Sequence, residues 1–173
     1  MKPLYKMIFS IVLMLIGNTS SQAQEKPIAS DYPKVVGYLS AVHPLITFDK
    51  NGNTSNFNGS YTVGFPTGIN IFKNDKFGYS FEIVPFINSS NGTSKVNNML
   101  FHPGLLFRYP NNWTLYTRMA FETSGRYGFT PSISKIVYKA KNTNFFVSIP
   151  VPLRFGNDKP ASIGFSLQMG LTF

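Results

Sequence analysis

Large apolar side chains alternate with small or polar ones along most of this chain. In residues 163–173 every second residue is Ile, Phe, Leu or Met, and the residues between them are Gly, Ser, Gln or Thr. Successive side chains of a β-strand point to opposite faces, so this period of two predicts a strand with one apolar and one small, polar face. No stretch after residue 23 shows a convincing 3.6-residue period. The pattern therefore favours an all-β fold.

The same period predicts eight strands in one domain. The predicted strands are 35–48, 61–71, 77–87, 99–109, 113–122, 128–138, 145–155 and 163–173. Lys135 interrupts the phase of segment 128–138 and indicates a bulge there. Long polar connections at 49–60 and 88–98 alternate with tight turns such as 73–76. An even number of strands joined by alternating long and short connections is typical of an up-and-down transmembrane barrel.

Charge content indicates which face of the predicted sheet meets water. Charged residues make up 13% of the chain, about half the share found in an ordinary soluble domain. The small, polar face carries few of them, whereas a water-facing surface would carry many. Hydrocarbon requires every backbone polar group to be paired within the protein, which a closed barrel achieves. We therefore expect a closed antiparallel transmembrane β-barrel of about eight strands, with its apolar face toward lipid.

Seven prolines fall within the predicted strands. Each one removes a hydrogen-bond donor from the sheet, and proline is found at strand ends, edges and bulges for that reason. We therefore expect bulges or strand ends at these positions.

The N-terminus has the parts of a secretory signal. Two lysines precede a largely apolar run at 7–16, and small residues stand before a cut after Ala23. The run is too short to span a bilayer as a helix, which takes about 20 residues. The sequence predicts a signal peptide at 1–23 and a barrel domain at 24–173. Cysteine is absent, which excludes a disulfide framework and a lipid-anchoring cysteine.

These features resemble the small outer-membrane barrels of the OmpA/OmpX type. The Ser-Gln-Ala-Gln junction is similar to that of exported Bacteroidota barrel proteins, and the sharpest motif is the last strand, with Phe173 preceded at alternate positions by Leu171 and Met169. The resemblance implies a porin-like protein of the Gram-negative cell envelope, embedded in outer-membrane lipid. It also implies recognition of the last strand by the barrel-assembly machinery. It implies no residue-level activity.

Five charged residues fall on the face expected to line the interior. They are Glu82, Arg108, Arg118, Glu122 and Arg154. Register places Glu82 and Arg118 near mid-height, and Glu122 and Arg154 near the outer rim. Buried charges persist only when paired, and eight strands leave room for side chains but hardly for a channel. We expect an internal ion-pair network, with a narrow channel or transport protein as the alternative.

The chain has two histidines, His43 and His102, and both are predicted to face the interior. His102, Ser80 and Glu82 make up the one candidate set for a lipid-modifying hydrolase, since such a triad needs an acid, a histidine and a hydroxyl within hydrogen-bond reach. That set would point inward, away from lipid. No close ligand spacing such as HxxxH occurs. We expect no catalytic residue, no cofactor and no metal site.

The predicted function is a structural or surface-interaction role, with loops 49–60 and 88–98 available to an extracellular partner. The chain has 16 basic and 7 acidic residues, but the basic ones are scattered, which does not favour nucleic acid. The lysines in the turns 73–76 and 139–142, which are assigned to the periplasmic side, could meet anionic head groups or peptidoglycan-proximal partners, but solvation of the turns is enough to explain them. A different class, an exported soluble barrel that binds an apolar ligand, would have its apolar face inside.

Overall fold

Residues 31–173, the part of the chain that the computed structural model describes, form eleven strands in one antiparallel sheet. The strands are β1 (Lys34–Asp49), β2 (Gly52–Ser55), β3 (Ser60–Gly64), β4 (Thr67–Phe72), β5 (Phe77–Ser90), β6 (Thr93–Tyr109), β7 (Trp113–Glu122), β8 (Tyr127–Lys139), β9 (Asn144–Pro150), β10 (Leu153–Phe155) and β11 (Ser162–Thr172). A short 3-10 turn, Pro110–Asn112, joins β6 to β7. The last strand, β11, pairs with β1, so the sheet closes into a ring.

The predicted signal peptide, 1–23, and its cleavage after Ala23 lie outside the described residues. Within residues 31–173 no helix has the length and apolar character needed to cross a membrane.

The eleven strands of the described chain exceed the eight predicted from sequence. β3 and β4 are separated at Phe65 and Pro66, and β9 and β10 are separated at Val151 and Pro152, because proline gives the sheet no donor. The third additional strand, β2, lies within a predicted loop. β2, β3 and β4 follow one another along the same side of β1, and β9 and β10 both lie between β8 and β11. The eleven strands therefore occupy eight positions around the ring.

Register shifts interrupt the pairing of three long strands. They occur between Pro44 and Ile46, between Phe86 and Ile87, and between Ile136 and Tyr138. The last of these confirms the bulge indicated in segment 128–138. A bulge adds one residue to one strand and increases the local twist, which helps strands of 13 to 17 residues to bend around the ring.

The predicted loop 88–98 is wrong, because most of it is strand. β5 and β6 continue as a hairpin to a two-residue turn at Asn91 and Gly92, which have φ of 50° and 74°. A two-residue hairpin turn of this kind needs positive φ at both positions, and Asn-Gly provides it at least cost. The hairpin projects beyond the start of the β6–β7 pairing at Leu100.

The predicted loop 49–60 likewise contains the strand β2, which forms a hairpin with the end of β1. Residues 50–51 form the turn of this hairpin, and residues 56–59 leave the sheet. Asn56 anchors this excursion, because its side-chain amide donates to the carbonyl of Thr62 at 2.8 Å and accepts from the Thr62 N–H at 2.7 Å.

The alternation of the sequence sorts side chains to the two faces of the ring as predicted. On β11, Phe165, Met169 and Leu171 are 38–47% exposed, whereas Ser166 and Gln168 are 5% and 4% exposed. The same arrangement continues around the wall. Exposed apolar residues on other strands include Ile69, Phe81, Ile83, Phe101, Phe121, Phe129 and Ile149. Most large apolar side chains thus point outward, and most inward positions carry small or polar side chains, with a few buried apolar ones such as Val84 and Leu100.

Glycines on the inner face leave room for the large side chains that cross the ring. A Cβ on Gly104 would lie 2.7 Å from Cγ of Arg118 and 2.2 Å from the carbonyl oxygen of Thr117. A Cβ on Gly68 would lie 2.5 Å from the hydroxyl of Tyr38. Small and large residues must alternate where a ring of this size is filled by its own side chains.

Replacing Gly104 with alanine should lower the free energy of unfolding by about 1–3 kcal/mol, the usual cost of overpacking. The new methyl group would meet backbone atoms of β7, which cannot move without the strand. Urea unfolding followed by fluorescence measures the change. Ser94→Ala, in the exposed hairpin, is the control and should shift stability by less than about 0.5 kcal/mol. Equal midpoints for the two variants would show that the inner face has spare room.

Candidate functional site

A network of buried polar side chains fills the middle of the ring, with Glu82 at its centre. Glu82 is 5% exposed. One carboxylate oxygen accepts a hydrogen bond from the hydroxyl of Tyr38 at 2.8 Å, and the other lies 2.9 Å from Nδ1 of His102. His102 stands directly opposite Glu82 in the β5–β6 pairing, so the register of one hairpin sets this contact.

Arg118 connects opposite walls of the ring. It projects from β7, and its guanidinium lies 3.7 Å from the carboxylate of Glu82. It donates to the hydroxyl of Ser80 at 2.9 and 3.1 Å and to the hydroxyl of Tyr38 at 3.2 Å. The aromatic ring of Tyr116 lies 4.1 Å from the guanidinium carbon. Since β1 and β7 are four positions apart among eight, the contact between Arg118 and Tyr38 spans the interior.

A second ion pair joins Glu122 and Arg154, 2.6 Å apart. Glu122 also accepts from the side-chain amide of Asn98 at 2.7 Å and from the hydroxyl of Ser124 at 2.9 Å. These contacts place the pair toward the end of the ring that bears the β5–β6 hairpin. The structure therefore brings together four of the five predicted interior charges, as two pairs.

Thr130 links the two ion pairs, and sequence reasoning missed it. Its hydroxyl lies 2.9 Å from Nε2 of His102 and accepts from Arg154 at 3.0 Å. A continuous chain of polar contacts therefore runs from Tyr38 to Glu122. Thr130 and Tyr38 occupy inward positions of alternating strands, so the period of two marks their face. Their partners depend on the shear of the ring, which one strand does not reveal.

Arg108 lies on the inward-facing side of β6 but does not join this network, contrary to the prediction. The side chain is exposed, with its guanidinium carbon 5.1 Å from the centre of the Phe72 ring. Arg108 is the penultimate residue of β6, and its N–H donates to the carbonyl of Lys76 in the neighbouring turn. Although the residue belongs to the inward-facing set, its position at the end of the ring lets a long side chain reach solvent.

His43 was also predicted to face the interior, and the structure places it on the outer face. It pairs with Leu167, one of the outward residues of β11. Its ring stacks on Tyr61, with centroids 6.0 Å apart, and the ring of Phe57 also stacks on Tyr61, with centroids 5.7 Å apart. The first predicted strand, 35–48, alternates less cleanly in sequence than the others, so the pattern did not define the face of His43.

The three residues of the candidate triad, Ser80, Glu82 and His102, do not form an acid–histidine–hydroxyl arrangement with one another. Ser80 accepts from Arg118, while the two ring nitrogens of His102 lie against Glu82 and Thr130. The acid–histidine–hydroxyl geometry is therefore made with Thr130. Thr130 is 2% exposed and its hydroxyl is already held by Arg154. Nucleophilic attack needs a reacting atom beside the hydroxyl, and in this structure the neighbours of that hydroxyl are His102 and Arg154.

The cavities inside this part of the ring are small. One of about 40 Å³ borders the ion pairs, and one of about 10 Å³ lies between Tyr38, Asn70 and Phe146. Roughly 10–15 Å³ accommodates one water molecule. An apolar layer of Val42, Val84, Leu100, Ala120 and Phe86 fills more of the interior. Ordered water fits these spaces, and the buried Oδ1 of Asn70, without a partner among residues 31–173, borders the smaller one.

No group of three His, Cys, Asp or Glu side chains within residues 31–173 is placed to hold a metal ion.

The C-terminal residues close the seam of the ring. The N–H and C=O of Phe173 each bond to the backbone of Gly37 at 2.9 Å. The side chains of Met169, Leu171 and Phe173 are all exposed on the outer face, by 38%, 47% and 62%.

No protein-family model matches this chain, and no curated protein matches it. Two solved structures of designed proteins are similar in shape. One is the solution NMR structure of the de novo designed TMB2.3, with 10% identity, a TM-score of 0.49, and coverage of 82% of this chain and 93% of that chain. Another, described as de novo design of transmembrane beta-barrels, has 10% identity, a TM-score of 0.47, and coverage of 87% and 98%. The fold of this chain follows from its own strand pairing, above all the pairing of β1 with β11.

Replacing Glu82 with glutamine should lower the free energy of unfolding by about 3–5 kcal/mol, because it leaves the guanidinium of Arg118 buried without its counter-charge. The double variant Glu82→Gln with Arg118→Met should recover part of the loss, since it removes both charges. Denaturant unfolding of four proteins, the wild type, Glu82→Gln, Arg118→Met and the double variant, measures the coupling. Asp158→Asn, in an exposed turn, is the matched control. Additive losses in the double variant would show that Glu82 and Arg118 do not stabilise each other.

Proposed function

We propose that this chain is an integral outer-membrane β-barrel protein with a structural or surface-interaction role and no catalytic one. The observation that carries the proposal is the orientation of the sheet. Large apolar side chains cover the outside of a closed ring, and charged side chains are buried and paired inside it.

The energetics of the outer face support a lipid environment. Side chains such as Phe81, Ile83 and Phe101 are neighbours on the wall and are 44–47% exposed. Full burial of a side chain of this size stabilises a protein by roughly 1.5–3 kcal/mol, and soluble monomers rarely expose a large contiguous apolar patch. Hydrocarbon contact removes this cost. Closure of the ring between β1 and β11 also leaves the barrel wall without an unpaired edge, as hydrocarbon requires.

The interior supports a structural role over the alternatives. A binding pocket for a small ligand usually measures about 300–1,000 Å³, many times the two cavities of about 40 and 10 Å³ that border the polar network. The polar side chains that would line a channel are engaged with one another across it. The alternative of a lipid-modifying hydrolase is disfavoured, because the hydroxyls of Ser80 and Thr130 are both buried. An eight-position ring is just wide enough for its own side chains to fill, so the proposed role is assigned to the wall and the projecting segments.

The proposed topology follows the two ends of the ring. Short turns in outer-membrane barrels face the periplasm and longer connections face outside. The end with the turns 73–76 and 110–112 would then be periplasmic. Segments 49–60 and 88–98, which project from the other end largely as hairpins, would be the longer extracellular segments and would meet an extracellular partner. Assembly would use the last strand, with Phe173, Leu171 and Met169 read by the barrel-assembly machinery. Export would depend on the signal peptide at 1–23.

The mature protein should remain with the outer-membrane fraction after carbonate washing and should show heat-modifiable gel mobility after detergent extraction. Both follow from a closed sheet with an apolar exterior, which detergent coats without opening. A denatured sample of the same protein is the control for mobility. Recovery in the soluble periplasmic fraction without detergent would contradict the proposal and favour a soluble ligand carrier.

Single cysteines should report the proposed topology without interference, because the chain has none of its own. Ser94→Cys, in the β5–β6 hairpin, should react with a membrane-impermeant maleimide on intact cells. Lys141→Cys, in a short turn, should react only after the outer membrane is opened. Both residues are exposed in the structure, so the difference reports sidedness. Labelling of Lys141→Cys on intact cells would reverse the proposed orientation.

A further inference from the structure

Positive charge is concentrated at the end of the ring that bears the short turns. Of the thirteen basic residues in the described part of the chain, seven lie there, with two acidic residues, Asp31 and Asp75. The opposite end has five basic residues and three acidic ones, and it includes the Glu122–Arg154 pair. The turn end therefore has a formal charge of +5 and the hairpin end +2.

The basic residues of the turn end form two groups, which we call the turn-end patch. One group consists of Lys34, Lys73, Lys76 and Arg108, and the other of Lys135, Lys139 and Lys141. The ion pairs observed within residues 31–173 involve none of them. Basic residues outnumber acidic ones in both groups, even with Asp31 and Asp75 counted in the first, so a bound anion would offset the excess positive charge of each group.

The backbone holds the first group in place. The side-chain oxygen of Asn74 accepts from the N–H groups of Lys76 and Phe77, both at 2.9 Å. The N–H of Arg108 donates to the carbonyl of Lys76 at 2.7 Å, and Lys34 pairs with Phe72, the residue before Lys73. These contacts present the cations on a rigid turn, which reduces the entropy lost on binding.

Aromatic side chains lie on the outer face at the same end as the patch. Tyr109, Trp113, Tyr138 and Phe173 are 38–67% exposed. The ammonium group of Lys135 lies 4.8 Å from the centre of the Trp113 ring. Tyrosine and tryptophan prefer the boundary between hydrocarbon and head groups, and lysine extends its charge from that boundary toward water. The patch therefore lies where head-group phosphates would be, provided that the proposed membrane location holds.

We propose that the turn-end patch binds the head groups of anionic phospholipids in preference to zwitterionic ones. This inference rests on the proposed function, and its occupant is a phosphate diester with net negative charge at the membrane surface. Lysine ammonium groups attract the phosphate as point charges, and the guanidinium of Arg108 offers paired N–H donors to two of its oxygens. The hairpin end, with lower charge and an internal ion pair, has weaker preference.

The single tryptophan of the chain provides a local test. Trp113 fluorescence is measured for the mature protein in phosphatidylcholine vesicles that contain equal small fractions of either brominated phosphatidylglycerol or brominated phosphatidylcholine. Quenching should show that the anionic lipid is preferred by about five-fold, which corresponds to the effect of about one basic residue at a charged surface. The preference should fall as salt is raised, because the Debye length at physiological ionic strength is about 8 Å.

Two triple variants separate the patch from general charge. Lys76→Gln, Lys139→Gln and Lys141→Gln together should reduce the preference to nearly one-fold, whereas Lys50→Gln, Lys95→Gln and Lys159→Gln remove as much charge at the hairpin end and should leave it unchanged. Equal quenching by the two brominated lipids, or equal loss in both variants, would overturn the inference. Inorganic phosphate is added as a competitor, with chloride at equal ionic strength as its control. If phosphate reduces quenching by the brominated anionic lipid more than chloride does, the patch binds free phosphate, and the proposed lipid preference is wrong.

Vesicle flotation keeps this test distinct from that of the proposed function. Protein that does not float with the vesicles refutes the membrane location itself. Protein that floats and is quenched equally by both lipids refutes only the head-group preference.

Discussion

Backbone hydrogen bonds between β1 and β11 decide what this chain can be. They join residues more than a hundred positions apart, with Tyr38 opposite Thr172, and they remove the two edges that an open sheet would present. Without them the wall would expose unpaired N–H and C=O groups, which neither hydrocarbon nor a stable monomer in water tolerates well. With them the outside can be apolar throughout, and the bonds of Phe173 to Gly37 extend the same seam to the last residue.

Closure also dictates the contents of the interior. A ring of eight positions is too narrow for large side chains from every strand, so glycine and serine occupy many inward positions and a few long residues reach across. Arg118 extends from β7 to Tyr38 on β1, and Gly68 and Gly104 leave room for this pair. Desolvated charges are tolerated here because each has a counter-charge and hydrogen-bond partners. The packing of the interior and the pairing of its charges therefore depend on the same residues.

The sequence predicted the fold class and the two faces well, because alternation is a local property that each strand displays alone. It predicted poorly where the strands begin and end. Hairpin extensions rich in Asn, Ser and Thr look like loops by composition, although Asn91-Gly92 was a usable turn signal. Pairwise contacts depend on the register between strands. The face of Thr130 could be read from β8, but its position between His102 and Arg154 needed the whole ring.

The β5–β6 hairpin continues past the point where β6 first meets β7, and its tip is a turn that makes few demands on the rest of the molecule. The residues near the tip of this hairpin can therefore change in sequence without disturbing the ring. The inward-facing residues are constrained because they contact one another. For the same reason the tip between Asn91 and Gly92 is a natural insertion point for displaying a foreign epitope on a pre-formed scaffold.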